Sequence, residues 1–339
     1  MVAKHQFRRD ELTRLFERAQ YQQAAIDAIS APSTLKPWPE YRANFINDAR
    51  VAAGLRFWKN NAEAIRRAEE VYGVPQEVIV ALLGVETFYG KQAGNFRTVD
   101  ALATLAFNYP PRAQFFRSEL EQYLLLARDQ QLDLLAVRGS YAGALGLPQF
   151  MPSSYRKYAV DFNGNGKIDL LREREDGIGS AANYLKQFGW AKGEPVALRS
   201  TVSQDVCAGE IRTPRTVAAW AASGVKLLQP FESAKPARLV DFTVQDGKEF
   251  WLAFGNFDVI MTYNNSSFYA MSVLQLAEAL REARNLQAPA KPVSDPPRGD
   301  KQQQANGQEQ PNKPGQGAKP EQVKPGQAKS REANQAKNP

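Results

Sequence analysis

The sequence has very few of the residues on which most hydrolytic enzymes and metal sites depend. Its 339 residues include one cysteine, Cys207, and one histidine, His5. A single cysteine excludes an internal disulfide and any cysteine-cluster metal site. A single histidine near the N-terminus argues against Ser-His-Asp triads, Cys-His pairs and histidine-rich zinc sites. Any catalysis must therefore depend on carboxylates, amides, hydroxyls or a hard cation.

Long hydrophobic runs are also missing. No apolar run approaches the ~20 residues of a membrane-spanning helix, and Met1 to Asp10 lacks the apolar core of a signal peptide. Hydrophobic residues make up 43% of the chain and aromatic residues 10%, which is typical of a globular protein. The length is sufficient for a sizeable core and about two domains.

The net charge is moderately positive, at +7. The segment from Pro289 to Pro339 contributes much of it, because it has nine Lys/Arg and five Asp/Glu. Such a balance suits an anionic polymer, either nucleic acid or an acidic glycan, and it equally serves solubility alone. Because no basic helix or finger motif is present, we expect no nucleic-acid partner.

Helical patterns dominate the chain, and a short strand-rich stretch interrupts them. Three prolines in "APSTLKPWPEY" favour an extended segment before the next helices. "SELEQYLLLARDQQ" has the apolar spacing of a helix, whereas "PVALRSTV", "ARLVDFTVQDG" and "KEFWLAFGNFDVIMTY" are β-branched or aromatic. "VQDGKEF" predicts a hairpin with Asp246-Gly247 as its turn, and Ser266 or Ser267 can cap the last helix.

These patterns predict a mainly α (α+β) protein. After Ala288 the chain has almost no apolar residues, so it cannot bury enough surface to offset the entropy of ordering, and we expect disorder there. The predicted division is an N-terminal helical region at 1–70, a core at 71–195, a β-rich subdomain at 196–257, a return to the core at 258–287 and a disordered tail at 288–339.

One carboxylate, Glu86, lies in the apolar run "VPQEVIVALLGVETFYGKQAG". On a helix its neighbours on the same face are all apolar or aromatic. Burial raises a carboxyl pKa, and a glutamic acid that is partly neutral near pH 7 can serve as a general acid. Alternatively, Glu86 reaches water at the edge of the apolar face or pairs with Lys91. The neighbours on that face are Ile79, Leu82, Leu83 and Tyr89.

Several long motifs resemble the lytic murein transglycosylases of the B type. They are "LLGVETFYGKQAGNFRTVDALATLAFNYPPRAQFFRSEL", "GSYAGALGLPQFMPSSYRKYAVDFNGNGKIDL", "IGSAANYL" and "NFDVIMTYNNSSFYAMSVLQL". The likeness runs in order from about Trp38 to Leu280. It implies a lysozyme-like core that cleaves the bond between N-acetylmuramic acid and N-acetylglucosamine in peptidoglycan without water, leaving a 1,6-anhydromuramoyl end.

In this family a single acid acts twice, and Glu86 matches its position. The resemblance implies that Glu86 protonates the glycosidic oxygen and then takes the proton of the C6 hydroxyl, with help from the substrate's acetamido group. Ordinary glycosidases use two flanking carboxylates. The motifs offer no obvious second one, because Asp100 lies in another stretch and Glu77 is on the helix's first turn. The implied chemistry requires no cofactor.

The resemblance also implies which residues hold the glycan. Tyr184 and Tyr269 could instead be core aromatics, and Ser140 could merely cap a turn. Pro111 stands where some members of the family have a second arginine beside the residue that Arg112 matches, and this departure affects the expected contacts with peptide or carboxylate groups. The expected substrate-binding residues are Ser140, Gln149, Tyr184, Tyr263, Asn264 and Arg112, with Tyr41 and Tyr269 as weaker matches.

The stretch "DFNGNGKID" matches the start of an EF-hand calcium loop. Its twelfth position is Arg172 instead of Glu, and the family resemblance implies a longer loop ending at Asp176, with Glu173 and Glu175 as rivals. Two asparagines reduce the site's charge, so we expect weak calcium binding or sodium, in a structural role. An Asn-Gly turn without metal is the alternative. The expected ligands are Asp161, Asn163, Asn165, the Lys167 carbonyl and Asp176, with Asp169 acting directly or through water.

Three functions are compatible with these residues. The first is a peptidoglycan lytic transglycosylase, the second a hydrolytic muramidase, and the third a noncatalytic calcium-dependent glycan-binding module. We expect a monomer in the bacterial periplasm, either soluble or anchored to the outer membrane in its natural precursor. Its expected partner is the peptidoglycan glycan strand, and cell-wall synthesis proteins are further candidates.

Overall fold

The computed structural model describes residues 1–31, 36–203 and 213–287. The predicted disordered tail at 288–339 and Cys207 lie outside the described residues. Helices form most of the described chain, which confirms the predicted mainly α fold. The helices are α1 Val2–His5, α2 Arg9–Glu17, α3 Gln23–Ser30, α4 Trp38–Ala43, α5 Asp48–Asn60, α6 Ala62–Tyr72, α7 Gln76–Thr87, α8 Thr98–Asn108, α9 Ala113–Asp129, α10 Pro152–Tyr158, α11 Arg174–Gln187, α12 Val217–Ala222, α13 Gly255–Tyr263 and α14 Ser267–Gln287.

Helix α7 lies in the middle of the core and contacts α5, α6, α11 and α14. It begins after Pro75, whose fixed φ and missing N–H suit the start of a helix. Nearly all its residues are buried, because a helix that is apolar all round must be covered on every side. It ends at Phe88, which adopts a left-handed conformation.

The strands form two antiparallel sheets. In the small one, β1 (Phe96–Arg97) pairs with β2 (Arg138–Gly139). The larger one has the order β4-β3-β6-β5 and lies within the range predicted to be β-rich; the domain division itself stays a prediction. Its strands are β3 Ala197–Val202, β4 Val225–Leu227, β5 Arg238–Val244 and β6 Gly247–Ala253.

The predicted hairpin is present, but its turn lies one residue earlier than expected. Val244 pairs with Gly247, so Gln245 and Asp246 form the two-residue turn and Gly247 is the first residue of β6. Gly247 has φ +127°, a conformation that glycine adopts without steric cost. The glycine therefore serves the start of the strand.

Two segments differ from the sequence-based expectation. Part of the proline-rich stretch forms α4, because Pro39 occupies the first turn of the helix, where no N–H is needed. The apparent strand "GNFDVIMTY" forms α13. Its buried residues Phe257 and Ile260 have helical spacing, and the Asn256 side chain bonds to the Ala191 and Glu194 backbone, so tertiary contacts outweigh the β-branched composition.

Within the described ranges, no helix combines the length and the hydrophobicity that a membrane-spanning segment requires.

Candidate active site

Glu86 lies in the last turn of α7 and is half-buried. Its carboxyl oxygen Oε1 accepts a hydrogen bond from the Tyr269 hydroxyl. Lys91, the alternative partner, has its ammonium 5.1 Å from the centroid of the Phe88 ring. Glu86 is therefore bonded to a neutral hydroxyl from α14.

Burial raises the pKa of Glu86 from 4.5 to about 7, and the hydrogen bond from Tyr269 lowers it by a smaller amount. Desolvation disfavours the carboxylate because the protein replaces the water that would stabilise its charge. Near neutral pH both the acid and the carboxylate are populated. A group in this state can give a proton in one step and accept one in the next.

Four tyrosines from four helices surround this carboxyl. The rings of Tyr263 and Tyr269 are stacked with centroids 6.4 Å apart, and those of Tyr184 and Tyr263 meet edge-on at 4.7 Å. Burial, and then the nearby charge of Glu86, raises the pKa of Tyr41 to about 12. The structure thus brings together Glu86 and four of the predicted substrate-binding residues.

Hydrogen bonds fix two of these rings to the backbone. The Tyr184 hydroxyl donates to the carbonyl oxygen of Thr262 at 2.9 Å, and the Tyr263 hydroxyl donates to that of Pro148 at 2.5 Å. Tyr184 and Tyr269 are buried, at 7% and 3% exposure. Both tyrosines are therefore packed as core aromatics, which was the alternative to glycan binding, and both rings also face the Glu86 region.

The loop between β2 and α10 carries Ser140 and Gln149. The Ser140 Oγ accepts hydrogen bonds from the backbone N–H groups of Ala142 at 3.3 Å and Ala144 at 3.0 Å. Ser140 therefore caps a turn, which was the alternative to a role in glycan binding. Gln149 is left-handed, with φ +51°, and its amide donates to the carbonyl oxygens of Ala93 and Gly146. This amide ties the loop after α7 to the loop before α10.

Asn264 and Arg112 lie at the surface. Asn264 follows Tyr263 at the end of α13 and is exposed. The Arg112 guanidinium lies 4.4 Å from the centroid of the Phe115 ring. Among the hydrogen bonds and ion pairs of the described ranges, neither residue is joined to Glu86, so their assignment to the glycan stays a prediction.

No second carboxylate is bonded or paired with Glu86 in the part of the chain that the structure describes. Asp100 is buried and accepts from the Arg97 Nε at 2.7 Å. Glu77 lies near Arg281, with 3.5 Å between Oε1 and Nη1, at the other end of α7. The pKa of Glu86 is shifted by burial and by Tyr269, and neither of these two carboxylates is among the causes of that shift.

The loop from Asp161 to Asp169 folds around its own side chains. The Asp161 carboxylate accepts N–H groups from Gly164 and Gly166 at 2.7 Å each. The Glu173 carboxylate accepts from the Asn165 side-chain amide at 2.9 Å and also from that of Asn163. Glu173 is therefore the carboxylate that faces the predicted ligands from the far end of the loop.

Asp176 has a different environment from the one the ligand prediction implies. It is fully buried, and its oxygens accept the backbone N–H groups of Phe162 and Asp169, both at 2.8 Å. Over the described residues no group of three His, Cys, Asp or Glu side chains is arranged to hold a metal. The donor set of one Asp, two Asn and Glu173 nevertheless consists of oxygen donors suited to a hard cation.

Sequence reasoning gave no weight to Arg50 and Thr87, which support the end of α7. Arg50 donates to the carbonyl oxygen of Gly84, and the Thr87 hydroxyl bonds to that of Leu147 at 3.0 Å. Neither residue could be recognised from a sequence pattern, because each one bonds to a backbone carbonyl that is remote in the sequence. A position beside the predicted acid was the only available signal for Thr87.

Known proteins are similar to this chain in both sequence and architecture. The membrane-bound lytic murein transglycosylase B of Escherichia coli (strain K12) is 43% identical over 294 residues, which cover 84% of this chain and 81% of the relative. The soluble lytic transglycosylase SltB1 of Pseudomonas aeruginosa has a crystal structure that is 45% identical, with a TM-score of 0.78, over 84% of this chain and 97% of that chain.

Structures with bound ligands are also similar to this chain. The Escherichia coli lytic transglycosylase Slt35 in complex with calcium is 42% identical with a TM-score of 0.78, over 84% of this chain and 91% of that chain. SltB3 of Pseudomonas aeruginosa in complex with NAG-anhNAM-pentapeptide is 29% identical with a TM-score of 0.74, over 81% and 75%.

A family model confirms the resemblance that the motifs carry. Residues 1–278 match the model described as the transglycosylase SLT domain, so the match includes Glu86 and the four tyrosines around it. The chain belongs to the transglycosylase SLT domain family and, within it, is similar to the lytic murein transglycosylases of the B type.

Proposed function

We propose that this protein is a peptidoglycan lytic transglycosylase that cleaves the β-1,4 bond between N-acetylmuramic acid and N-acetylglucosamine and leaves a 1,6-anhydromuramoyl end. The observation that carries the proposal is the isolated carboxyl of Glu86, half-buried among tyrosines and with its pKa raised to about 7. Family membership and the anhydromuramoyl ligand bound to SltB3 support it.

Glu86 acts first as an acid and then as a base. Its proton moves to the glycosidic oxygen as the bond from that oxygen to C1 of the muramoyl sugar breaks, and the substrate's acetamido oxygen shares the positive charge that develops at C1. The Glu86 carboxylate then takes the proton of the C6 hydroxyl while the C6 oxygen forms a bond to C1. The acid is restored, no water is consumed, and one carboxyl suffices.

The tyrosines are assigned to binding and to control of Glu86. The Tyr269 hydroxyl donates to the carboxyl and stabilises its charged form between the two steps. Tyr184 and Tyr263, with Tyr41, offer aromatic faces to the sugar rings. Ser140, Gln149, Asn264 and Arg112 extend the proposed glycan-binding surface, with the Ser140 proton still available to a ligand.

Product analysis of digested sacculi tests the reaction. Wild-type protein is expected to release muropeptides that are one water lighter than the hydrolysed products, as measured by mass spectrometry. Glu86→Gln preserves shape but removes the acid and base, so it is expected to reduce lytic activity by about 10²–10⁴-fold. Hydrolysed ends would favour a muramidase, and unchanged lysis by Glu86→Gln would eliminate the mechanism.

The Asp161 loop is proposed as a structural calcium site. Asp161, Asn163, Asn165, the Lys167 carbonyl and Glu173 would hold the ion, and it would neutralise the two facing carboxylates. The contacts of Glu173 with both asparagine amides support its inclusion, and the calcium complex of Slt35 supports the choice of ion. Asp176 would stabilise the loop through the backbone N–H groups that it accepts and would not bind the ion.

Thermal melting with and without calcium tests this site. Binding only to the folded state raises the melting temperature, and we expect the rise in the millimolar calcium range, near the ~10⁻⁴–10⁻³ M affinities of weak sites. Glu173→Gln should abolish the rise, whereas Glu175→Gln, a neighbouring exposed acid, should retain it. A calcium response that survives Glu173→Gln but not Asp176→Asn would instead assign the last ligand to Asp176.

The proposed substrate places the protein outside the cytoplasmic membrane, in the periplasm of a bacterium. The membrane-bound relative is consistent with that location. Cell-wall synthesis proteins remain candidate partners.

A further inference from the structure

The turn after Glu86 has an unusual backbone. Phe88, Tyr89 and Gly90 are consecutive residues with φ of +50°, +61° and +89°. Only glycine adopts this left-handed region without steric cost, and two bulky residues remain there only when surrounding contacts impose it. The contacts that hold this turn therefore also fix the end of the helix that carries Glu86.

Tyr89 is wedged between α5 and α7. A Cβ at Gly54 would lie 2.4 Å from the Tyr89 hydroxyl, and a Cβ at Gly84 would lie 2.7 Å from it. The ring also stacks on Phe57 with a centroid separation of 5.5 Å. The absence of side chains at the two glycines leaves the space that the Tyr89 ring fills. The packed ring therefore restrains the position of the turn.

Arg50 holds the same region from α5. Its guanidinium donates to the carbonyl oxygen of Gly84, which also accepts the Phe88 N–H at 3.0 Å. The guanidinium carbon lies 4.7 Å from the centroid of the Phe88 ring. Arg50 therefore contacts both the last turn of α7 and the first left-handed residue after it.

The turn is linked onward to the facing loop. The Thr87 Oγ accepts the Gly90 N–H at 2.9 Å and donates to the carbonyl oxygen of Leu147. The next residue, Pro148, accepts the hydroxyl of Tyr263. A displacement of the turn would consequently move both Glu86 and the loop that supports Tyr263.

We propose that Arg50 and Tyr89 are positioning residues for the reaction of Glu86. They keep the end of α7 and the turn after it in one conformation, so that the carboxyl stays among the tyrosines and shielded from water. The proposal rests on the proposed function of Glu86. The titratable groups that face Glu86 are Tyr41 on α4, Tyr184 on α11, Tyr263 on α13 and Tyr269 on α14.

Replacing Arg50 tests the proposal, with glycan strands as substrate. Arg50→Ala is expected to lower kcat roughly ten- to a hundredfold, as small misplacements of a catalytic group do, with little change in KM. Water that reaches Glu86 would lower its pKa, so the alkaline limb of the pH–rate profile should move to lower pH. Arg50→Lys should recover part of kcat, because lysine can still donate to the Gly84 carbonyl.

Matched variants separate positioning from a general loss of stability. Arg56→Ala removes an exposed arginine from the same helix and should leave kcat and the pH limb unchanged. Gly84→Ala favours the helix but places a methyl group against Tyr89, so it should reproduce the kinetic signature of Arg50→Ala.

The outcomes distinguish this inference from the proposed function. Wild-type kcat and an unmoved alkaline limb in both Arg50→Ala and Gly84→Ala would overturn the positioning role, even if Glu86→Gln is inactive. A lower melting temperature in these variants with no shift of the alkaline limb of the pH–rate profile would also overturn the positioning role, because that result indicates a structural role alone. Activity in Glu86→Gln would instead refute the assignment of the acid.

Discussion

At the scale of single residues, the proposed chemistry depends on the environment of one carboxyl. Glu86 is an ordinary glutamic acid whose pKa rises to about 7 because the folded chain removes water from it. The tyrosines around it supply hydrogen bonding and shape without adding charge at neutral pH. The proposed reaction needs no second protein carboxylate, because the substrate provides its own nucleophile.

The raised pKa of Glu86 makes stability depend on pH. A carboxyl with a higher pKa in the folded state contributes stability that is present below pH 4.5 and is lost as pH rises through about 7. We expect Glu86→Gln to gain up to ~3 kcal/mol over wild type at alkaline pH and little at acidic pH. Urea unfolding on both sides of this window measures the difference, and a constant difference at every pH would contradict it.

The bond from Tyr269 gives a second prediction at this scale. This hydrogen bond lowers the pKa of Glu86, so Tyr269→Phe should raise that pKa and move the alkaline limb of activity to higher pH. It should also lower kcat about tenfold or more, because a hydrogen bond to a charged group contributes ~1.5–3 kcal/mol. Tyr21→Phe, at an exposed site, is the control, and a limb that moves to lower pH would refute the assignment.

At the scale of elements, buried side chains join helices that are distant in sequence. The Glu119 carboxylate on α9 accepts the Ser153 N–H at 2.9 Å and the Ser153 hydroxyl at 2.6 Å. These bonds satisfy a free donor at the start of α10, and α10 follows directly after the loop of Gln149. Glu119 therefore supports one wall of the site through the helix that it caps.

Replacing Glu119 by Gln should reduce the free energy of unfolding by ~1–3 kcal/mol, because one buried donor loses its acceptor. Glu121→Gln on the same helix is the matched control. Glu121 lies within 2.8 Å of Lys4 and His5 but is partly exposed, and exposed pairs contribute ~0–1 kcal/mol. Denaturant unfolding compares the two variants, and equal losses would show that Glu119 does not act as a buried cap.

At the scale of the whole described unit, aromatic packing joins the larger sheet to the helices. The Trp38 ring on α4 lies 4.8 Å from Phe242 on β5 and 5.2 Å from Phe268 on α14. Trp38 is only 1% exposed, so it is a core residue shared by three elements. The same contacts position α4 and therefore Tyr41.

Trp38→Ala should destabilise the protein by ~3–5 kcal/mol, as large-to-small substitutions in a core do. Phe107→Ala removes a ring that is 62% exposed and should change stability by less than ~0.5 kcal/mol. Urea unfolding measures both values. Similar losses for the two variants would indicate that Trp38 is not a shared core residue.

Much of this protein could be predicted from sequence, where the signal is local or carried by long motifs. The predictions of a mainly helical fold with a small strand-rich insertion and of the lytic transglycosylase family are confirmed. Predictions of secondary structure from local residue types were less accurate near the ends of segments. Pro39 and "GNFDVIMTY" have helical conformations because first-turn geometry and burial outweigh composition, and the hairpin turn differs by one residue.

The sequence by itself determined that Glu86 lies in an apolar run and that few other residue types were available for catalysis. Only the tertiary structure decided its hydrogen-bond partner, the convergence of tyrosines from four helices, and the support of the turn by Arg50 and Tyr89. The physical reason is that hydrophobic periodicity is a property of neighbouring residues. A pKa and the orientation of a carboxyl depend instead on atoms that folding brings together from remote parts of the chain.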